Sequence, residues 1–350
     1  DDKKVDTSKV YNTNGGIITI RNRKVKDSHD GGYGSISLAR GFEVSSNTVL
    51  VQAVQENYKN NPKQFTDRLN SYGLNKPIGI QLLGEAKSYI PQPGTDKWNA
   101  LSLPWMAYGY GVSMTPLQTL TIYNGIANNG KMIKPIFVKE IKEWNKTIKK
   151  YEAEVINEKM CSDETLAKVK AVLANVVKKG TGSKLYSSDF SMAGKTGTAQ
   201  VNYSKGKENM YYASSFVGYF PADNPKYSCI IVVHKPNTSL NNYYGADVAG
   251  PVFKRIAQKI FTDVPNTNKF KSIKLKNAKQ DVLYAEYEKK SQGTTNKIPN
   301  VKGMAGMDAV SLLENLGLKV KFIGVGKVKK QSINPGEVFK KNQTITIELS

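Results

Sequence analysis

Apolar residues recur at helical spacing in several stretches of this chain. Leu50, Val51, Val54 and Tyr58 predict a helix from about Ser46 to Tyr58. Pro62 fits the first turn of a second helix that ends near Gly73. A third spans Thr115 to Ile126, with Pro116 at its start and Asn128-Asn129-Gly130 as its stop. Ser162-Asp163-Glu164 opens a fourth, a capping hydroxyl followed by two acids facing the helix dipole. It runs to about Lys179, and Gly180 ends it. Strands are predicted over about 191–201, 210–220 and 227–234, then a helix over about 250–262 with Val252, Phe253, Ile256 and Ile260 on one face.

The first 44 residues read as loops and short strands, with Ile17–Ile20 following the turn signal Asn14-Gly15-Gly16. Strands grouped between helices point to an α+β fold with a mostly antiparallel sheet. Residues 264–297 are rich in Lys, Asn and Thr and read as a linker, with a short helix from Ala278 to Lys290. Residues 298–350 form a second unit. It has a helix from Gly306 to Leu316 stopped by Gly317, then strands around 318–323 and 343–349. Met307, Val310 and Leu313 are its expected apolar face. The expected division is therefore 1–263, 264–297 and 298–350.

Length and charge add limits. A chain of 350 residues exceeds one typical core and implies more than one domain. The formal net charge is +22, which favours anionic partners. The cations are scattered rather than blocked, so a solvated basic surface is the reading and nucleic acid is not an expected partner. No run of about 18 apolar residues is present, so nothing here is expected to span a bilayer. His29 and His234 lack metal-ligand spacing, and no metal or organic cofactor is expected. Cys161 and Cys229 leave both a disulfide and two inert thiols open.

The chemistry centres on Lys195-Thr196-Gly197-Thr198. A phosphate loop is excluded, because the glycine it needs five residues before Gly194 is Asp189, and the following residues read as strand. On an exposed strand, Lys195 supplies a positive charge and the hydroxyls of Thr196 and Thr198 can donate to a carboxylate. Gly197 leaves the strand edge bare for an extended peptide. Ser45-Ser46-Asn47 alone reads as no more than a helix cap. Together with Lys-Thr-Gly it gains meaning, because that pair with Ser-x-x-Lys marks penicillin-recognising enzymes. Gly31-Gly32-Tyr33-Gly34 reads as a loop rather than a ligand cradle.

On these motifs the chain resembles class B penicillin-binding proteins of the cell-division type. The likeness extends over Leu103-Pro104-Trp105-Met106, Gly109-Tyr110-Gly111 and Thr115-Pro116-Leu117-Gln118. It continues through Ser214–Ala222 and from Tyr243-Tyr244-Gly245 to Ala249-Gly250-Pro251-Val252-Phe253, and so covers residues 1–263. The tail resembles one PASTA domain through Ile298-Pro299-Asn300-Val301, Gly303-Met304, Ala309, Leu312-Leu313, Gly317-Leu318 and Ser332–Gly336. The resemblance implies a serine β-lactamase-like transpeptidase fold with antiparallel sheet and helices, plus a small α/β PASTA domain.

The resemblance also implies a reaction. A serine attacks the penultimate D-alanine carbonyl of a peptidoglycan stem peptide, and the acyl group passes to an amine on a neighbouring strand. Ser45 would relay a proton, and Asn47 would bond the catalytic lysine and the substrate amide. Lys195, Thr196 and Thr198 would hold the terminal carboxylate, and the Thr198 N–H would serve an oxyanion hole. β-Lactams would acylate the same serine. Implied partners are stem peptides, β-lactams and cell-wall synthesis or divisome proteins. The implied location is the outer face of the cytoplasmic membrane, through an N-terminal anchor.

One departure matters. The family's Ser-x-x-Lys lies roughly fifty residues before Ser-x-Asn, which from Ser45 falls before Asp1. Only Ser204-Lys205-Gly206-Lys207 fits the pattern, and it sits in a loop after the Lys-Thr-Gly strand, so it is read as chance. The nucleophile is therefore expected upstream and the chain alone is expected to be inactive. A D,D-carboxypeptidase or β-lactamase, and a non-catalytic scaffold or sensor, are the alternatives.

Overall fold

The computed structural model describes residues 2, 4–144, 146–202, 208–238, 242–263 and 296–350. The expected helix Ala278–Lys290, most of the expected linker, and Ser204-Lys205-Gly206-Lys207 lie outside these residues. The chain falls into two compact units, Asp1–Pro265 and Asn266–Ser350.

The first unit opens with short strands β1 (Val10–Asn12), β2 (Ile17–Ile20), β3 (Arg23–Lys26) and β4 (Ser35–Ser37). Helices α1 (Leu38–Glu43), α2 (Asn47–Tyr58), α3 (Pro62–Ser71), α4 (Ser102–Met106) and α5 (Pro116–Ala127) follow. Short strands β5 (Met132–Ile133), β6 (Glu140–Glu143), β7 (Lys146–Lys150) and β8 (Val155–Asn157) precede helix α6 (Asp163–Lys179). Strands β9 (Ala193–Val201), β10 (Tyr211–Phe220) and β11 (Tyr227–His234) then form the main sheet, and α7 (Gly245–Asp263) closes the unit.

Local chemistry explains the helix starts. Ser46 caps α2 by accepting from Val49 N, and Ser162 caps α6 by accepting from Thr165 N. Thr115 and Gln118 form a reciprocal capping box on α5. At the end of α6, Gly180 has φ −102°, so it is not there for a left-handed turn. It is there for space: a Cβ would run into Glu43 O.

The main sheet is antiparallel, in the order β11-β10-β9, which leaves β9 at an edge. Its alternation separates two layers. Phe216 and Phe220 of β10 pack with Ala249, Phe253 and Ala257 of α7. Tyr219 and Ala193 turn the other way, onto Leu173 of α6 and Tyr123 of α5. These buried layers fix the register, in which Lys195 lies opposite Val217 and Gly197 opposite Ser215.

Two expectations about helix faces need correction. Helix α7 begins at Gly245, ahead of the predicted start near 250, and carries Pro251 inside it. The buried face holds Ala249, Phe253 and Ala257, whereas Val252 is 42% exposed. In the second unit, helix α8 (Gly306–Asn315) buries Ala309, Leu312 and Leu313, and Met307 is 78% exposed. A spacing of three drifts off one face of a helix of 3.6 residues per turn, so Met307 and Leu313 point apart.

The second unit has strands β12 (Lys319–Ile323), β13 (Val328–Gln331) and β14 (Thr344–Leu349), with β13 missed by the sequence reading. The order is β12-β14-β13, with β12 parallel and β13 antiparallel to β14. Ile298, Val301, Leu312, Leu313, Ile345 and Ile347 make its aliphatic core.

Candidate acyl-transfer site

Strand β9 brings the chemistry to a sheet edge. Alternation turns Lys195 and Thr196 to opposite faces. The long lysine stem nonetheless carries Nζ back to the edge, where it donates to Thr196 O at 3.1 Å and approaches Thr196 Oγ1 at 3.4 Å. Lys195 Nζ also donates to Ser45 Oγ. The structure therefore unites two residues that the sequence places far apart. Burial pushes the Lys195 ammonium down to about 8, because loss of water disfavours its charged form.

Ser45 occupies the junction of α1 and α2 in a left-handed conformation, φ 56°. Such a backbone costs about 1 kcal/mol or more for a residue other than glycine. Its neighbours hold it. Ser45 N bonds Phe42 O at 3.1 Å and Ser46 N bonds Gly41 O at 2.8 Å. Asn47 is turned to the other side, and its Nδ2 donates to Lys26 O of β3 at 2.7 Å.

The two threonine hydroxyls are engaged within the protein. Thr198 Oγ1 accepts from Gly245 N at 3.0 Å, which leaves its own proton available to donate. Thr196 Oγ1 lies 2.7 Å from Thr181 Oγ1. Thr181 N in turn donates to Glu43 O at 3.0 Å, so Thr181 ties the Ser45 side to the Lys195 strand. Glu43 is buried and pairs with Arg40 at 3.0 Å, and Arg40 also donates to Lys179 O at 2.9 Å.

Further along β9, Gln200 N donates to Tyr110 Oη at 3.1 Å. That N–H points away from β10, and by alternation those of Thr196 and Thr198 share the same open edge. Sequence reasoning missed Thr181 and Tyr110 as neighbours of the site. Gly180-Thr181-Gly182, a threonine between glycines at a helix end, was the available signal. Tyr110 gave none beyond its family-like segment. The glycine-rich run at 31–34 is a loop, as expected, and Gly32 crosses Gly16 too closely for any Cβ.

The comparisons bear directly on this arrangement. The chain matches the penicillin binding protein transpeptidase domain over residues 1–258 and the PASTA domain over residues 296–350. This chain belongs to the penicillin-binding protein transpeptidase family. Among its relatives is stage V sporulation protein D of Bacillus subtilis, 28% identical over 332 residues, covering 91% of this chain and 47% of that protein. Another is the peptidoglycan D,D-transpeptidase FtsI of Buchnera aphidicola, 31% identical over 221 residues, covering 62% of this chain and 34% of that one. Penicillin binding protein 3 of Mycobacterium tuberculosis, solved with ampicillin, has TM-score 0.62 and 28% identity, covering 73% of this chain and 57% of that one. The chain thus spans less than half the length of these two curated relatives.

The transpeptidase fold and its PASTA companion agree with the α+β reading. Cys161 and Cys229 are both free, and burial pushes both thiols up, away from reactivity. Among the described residues no cluster of His, Cys, Asp and Glu could hold a metal, and no helix is long and apolar enough to cross a membrane.

Proposed function

We propose that the whole protein is a serine D,D-transpeptidase that cross-links peptidoglycan stem peptides, and that these residues form its substrate-gripping part. The observation that supports this most is the Lys195 ammonium on Ser45 Oγ at the open edge of β9. An extended stem peptide would add to that edge as a further strand. Its terminal carboxylate would meet Lys195 and the hydroxyls of Thr196 and Thr198, and its reacting carbonyl would meet the Thr198 N–H. A Cβ at Gly197 would meet Ser215 Oγ of β10, so this glycine makes room for the neighbouring strand rather than for the substrate.

The chemistry proposed is acyl transfer. A serine oxygen from a Ser-x-x-Lys on sequence preceding Asp1 bonds to the carbonyl carbon, its proton passing to the paired lysine. As the carbon–nitrogen bond breaks, Ser45 relays that proton from the lysine to the departing amine of D-alanine. An acceptor amine then attacks the acyl carbon, gives up a proton through the same groups, and the serine oxygen leaves and takes that proton back. Asn47 would serve the lysine through Oδ1, since Nδ2 is bonded to Lys26 O. β-Lactams would acylate the same serine. The functional division proposed is a transpeptidase domain over 1–263, a linker over 264–297 and a PASTA domain over 298–350. The proposed setting is the outer face of the cytoplasmic membrane, through an N-terminal anchor and beside other cell-wall synthesis or division proteins.

Labelled penicillin tests the reading. The whole protein should form one covalent adduct, on a serine preceding Asp1, while residues 1–350 alone should form none. An adduct on Ser45 or Ser204 would overturn the assignment of the nucleophile, and no adduct in the whole protein would overturn the function.

A further inference from the structure

The residues around Ser45 end on one short template at the open end of the β2–β3 hairpin, where Lys26 pairs with Ile17. Asp27 Oδ1 accepts from Thr48 N at 2.9 Å, and Asp27 Oδ2 accepts from both Ser46 Oγ and Thr48 Oγ1 at 3.0 Å. The preceding carbonyl, Lys26 O, takes Asn47 Nδ2. Ser46 and Thr48 are each 0% exposed, so neither hydroxyl has water as a substitute partner. The template itself is pinned, because Asp27 N donates to Gly16 O at 2.9 Å.

Ser45 is the exception in this stretch. Ser46, Asn47 and Thr48 all reach toward β3, whereas Ser45 sends its hydroxyl the other way, onto Lys195. It does so from a left-handed backbone, φ 56°, that serine leaves unless its surroundings over-determine it. The convergence on Asp27 supplies that over-determination from the C-terminal side.

We propose that Asp27 is a positioning residue of the acyl-transfer site. Its carboxylate fixes the first turn of α2, holds Ser45 in the left-handed conformation and so keeps Ser45 Oγ on Lys195. This rests on the transpeptidase reading above. A carboxylate near a helix start also stabilises that helix in general, through the dipole and the cap. The two roles differ in what they predict for pairs of substitutions.

The test is a double-mutant cycle in the whole protein, read as the acylation rate with labelled penicillin alongside the melting temperature. Asp27→Asn keeps the shape but puts an amide where two hydroxyls donate. It should slow acylation roughly 10- to 100-fold, the scale expected for displacing a reacting group by about 1 Å. Penicillin binding before acylation should change little. In a Ser45→Ala background the same substitution should add almost nothing, since its effect passes through Ser45. Should Asp27→Asn fail to fold, Asp27→Glu keeps the charge, shifts the carboxylate by one methylene and carries the same outcomes. Normal acylation by the folded variant, or a loss that adds in full to that of Ser45→Ala, overturns the proposal. A wild-type protein that takes up no penicillin overturns the transpeptidase reading and this proposal with it.

Discussion

The two units each build a three-stranded sheet with a helix across it, yet they spend their interiors differently. Among the described residues, the buried polar side chains, including Thr13, Glu43, Ser46, Thr48, Gln118 and Ser214, belong to the first unit. The second packs Ile298, Val301, Leu312, Leu313, Ile345 and Ile347 against one another. A buried polar group contributes little net stability when paired and costs about 1–3 kcal/mol when left unpaired. The first unit accepts that exposure to risk because directional bonds fix where Ser45 and Lys195 sit. The second needs only cohesion, and apolar burial supplies it without direction.

That contrast can be broken or sharpened by substitution. The largest effect is expected in the small unit. Leu313→Ala removes a side chain that is 0% exposed and should cost about 2–5 kcal/mol. A unit of this size holds roughly 3–5 kcal/mol in total, so it should unfold. Hydrogen exchange would show protection lost over 296–350, with penicillin acylation of the whole protein unchanged. If acylation fell as well, the two units would be coupled in function.

Lys195→Ala should act in the opposite sense. It removes a charge from the site and no apolar contact from the core. Acylation should drop by about 10²-fold, on the scale of losing one electrostatic contact to the reacting group. The melting temperature should hold, because the half-buried ammonium is a burden to the fold at neutral pH. Unchanged acylation would refute its role in gripping the carboxylate.

The smallest effect is one of pH. Lys195 titrates at about 8 in the folded protein, below the ordinary lysine value of 10.5. The acylation rate of free enzyme should therefore fall about tenfold per unit above pH 8, as the cation that holds the carboxylate is lost. Stability moves the other way. A depressed lysine pKa means that the unfolded chain binds more protons between 8 and 10.5, so this group's contribution rises with pH across that window. A flat profile through pH 8 would refute the dependence of acylation on the Lys195 charge in the free enzyme.

Much of this was legible in the sequence because the signals were local. The strands β9, β10 and β11 and the starts of α2, α3, α5 and α6 follow from periodicity, caps and prolines. Lys195 and Ser45 were legible as a pair only through the family's motifs. Around that contact stand Thr181, whose one local signal is its place between Gly180 and Gly182, and Glu43 and Asp27, which have none. The short strands β5–β8 escaped for another reason. In β6 and β7 every described residue is exposed, so no buried face imposes alternation, and Trp144 at the turn is 96% exposed. The first turn of α7 also escaped, because the apolar face read from Val252 onward says nothing of Gly245–Ala249, and Pro251 is accommodated within the helix between the buried Ala249 and Phe253.

The position of β14 in the second unit has a consequence for biosynthesis. It is the middle strand of its sheet, paired with both β12 and β13, and it contributes Ile345 and Ile347 to the centre of the core. It is also the last of the unit's elements in chain order. A ribosome releases the chain from its N-terminal side, so α8, β12 and β13 emerge with their shared partner still unmade. Leu312, Leu313 and Val328 must wait in solvent until Thr344–Leu349 arrives. The first unit can close its sheet while synthesis continues, whereas this one assembles in a single late event.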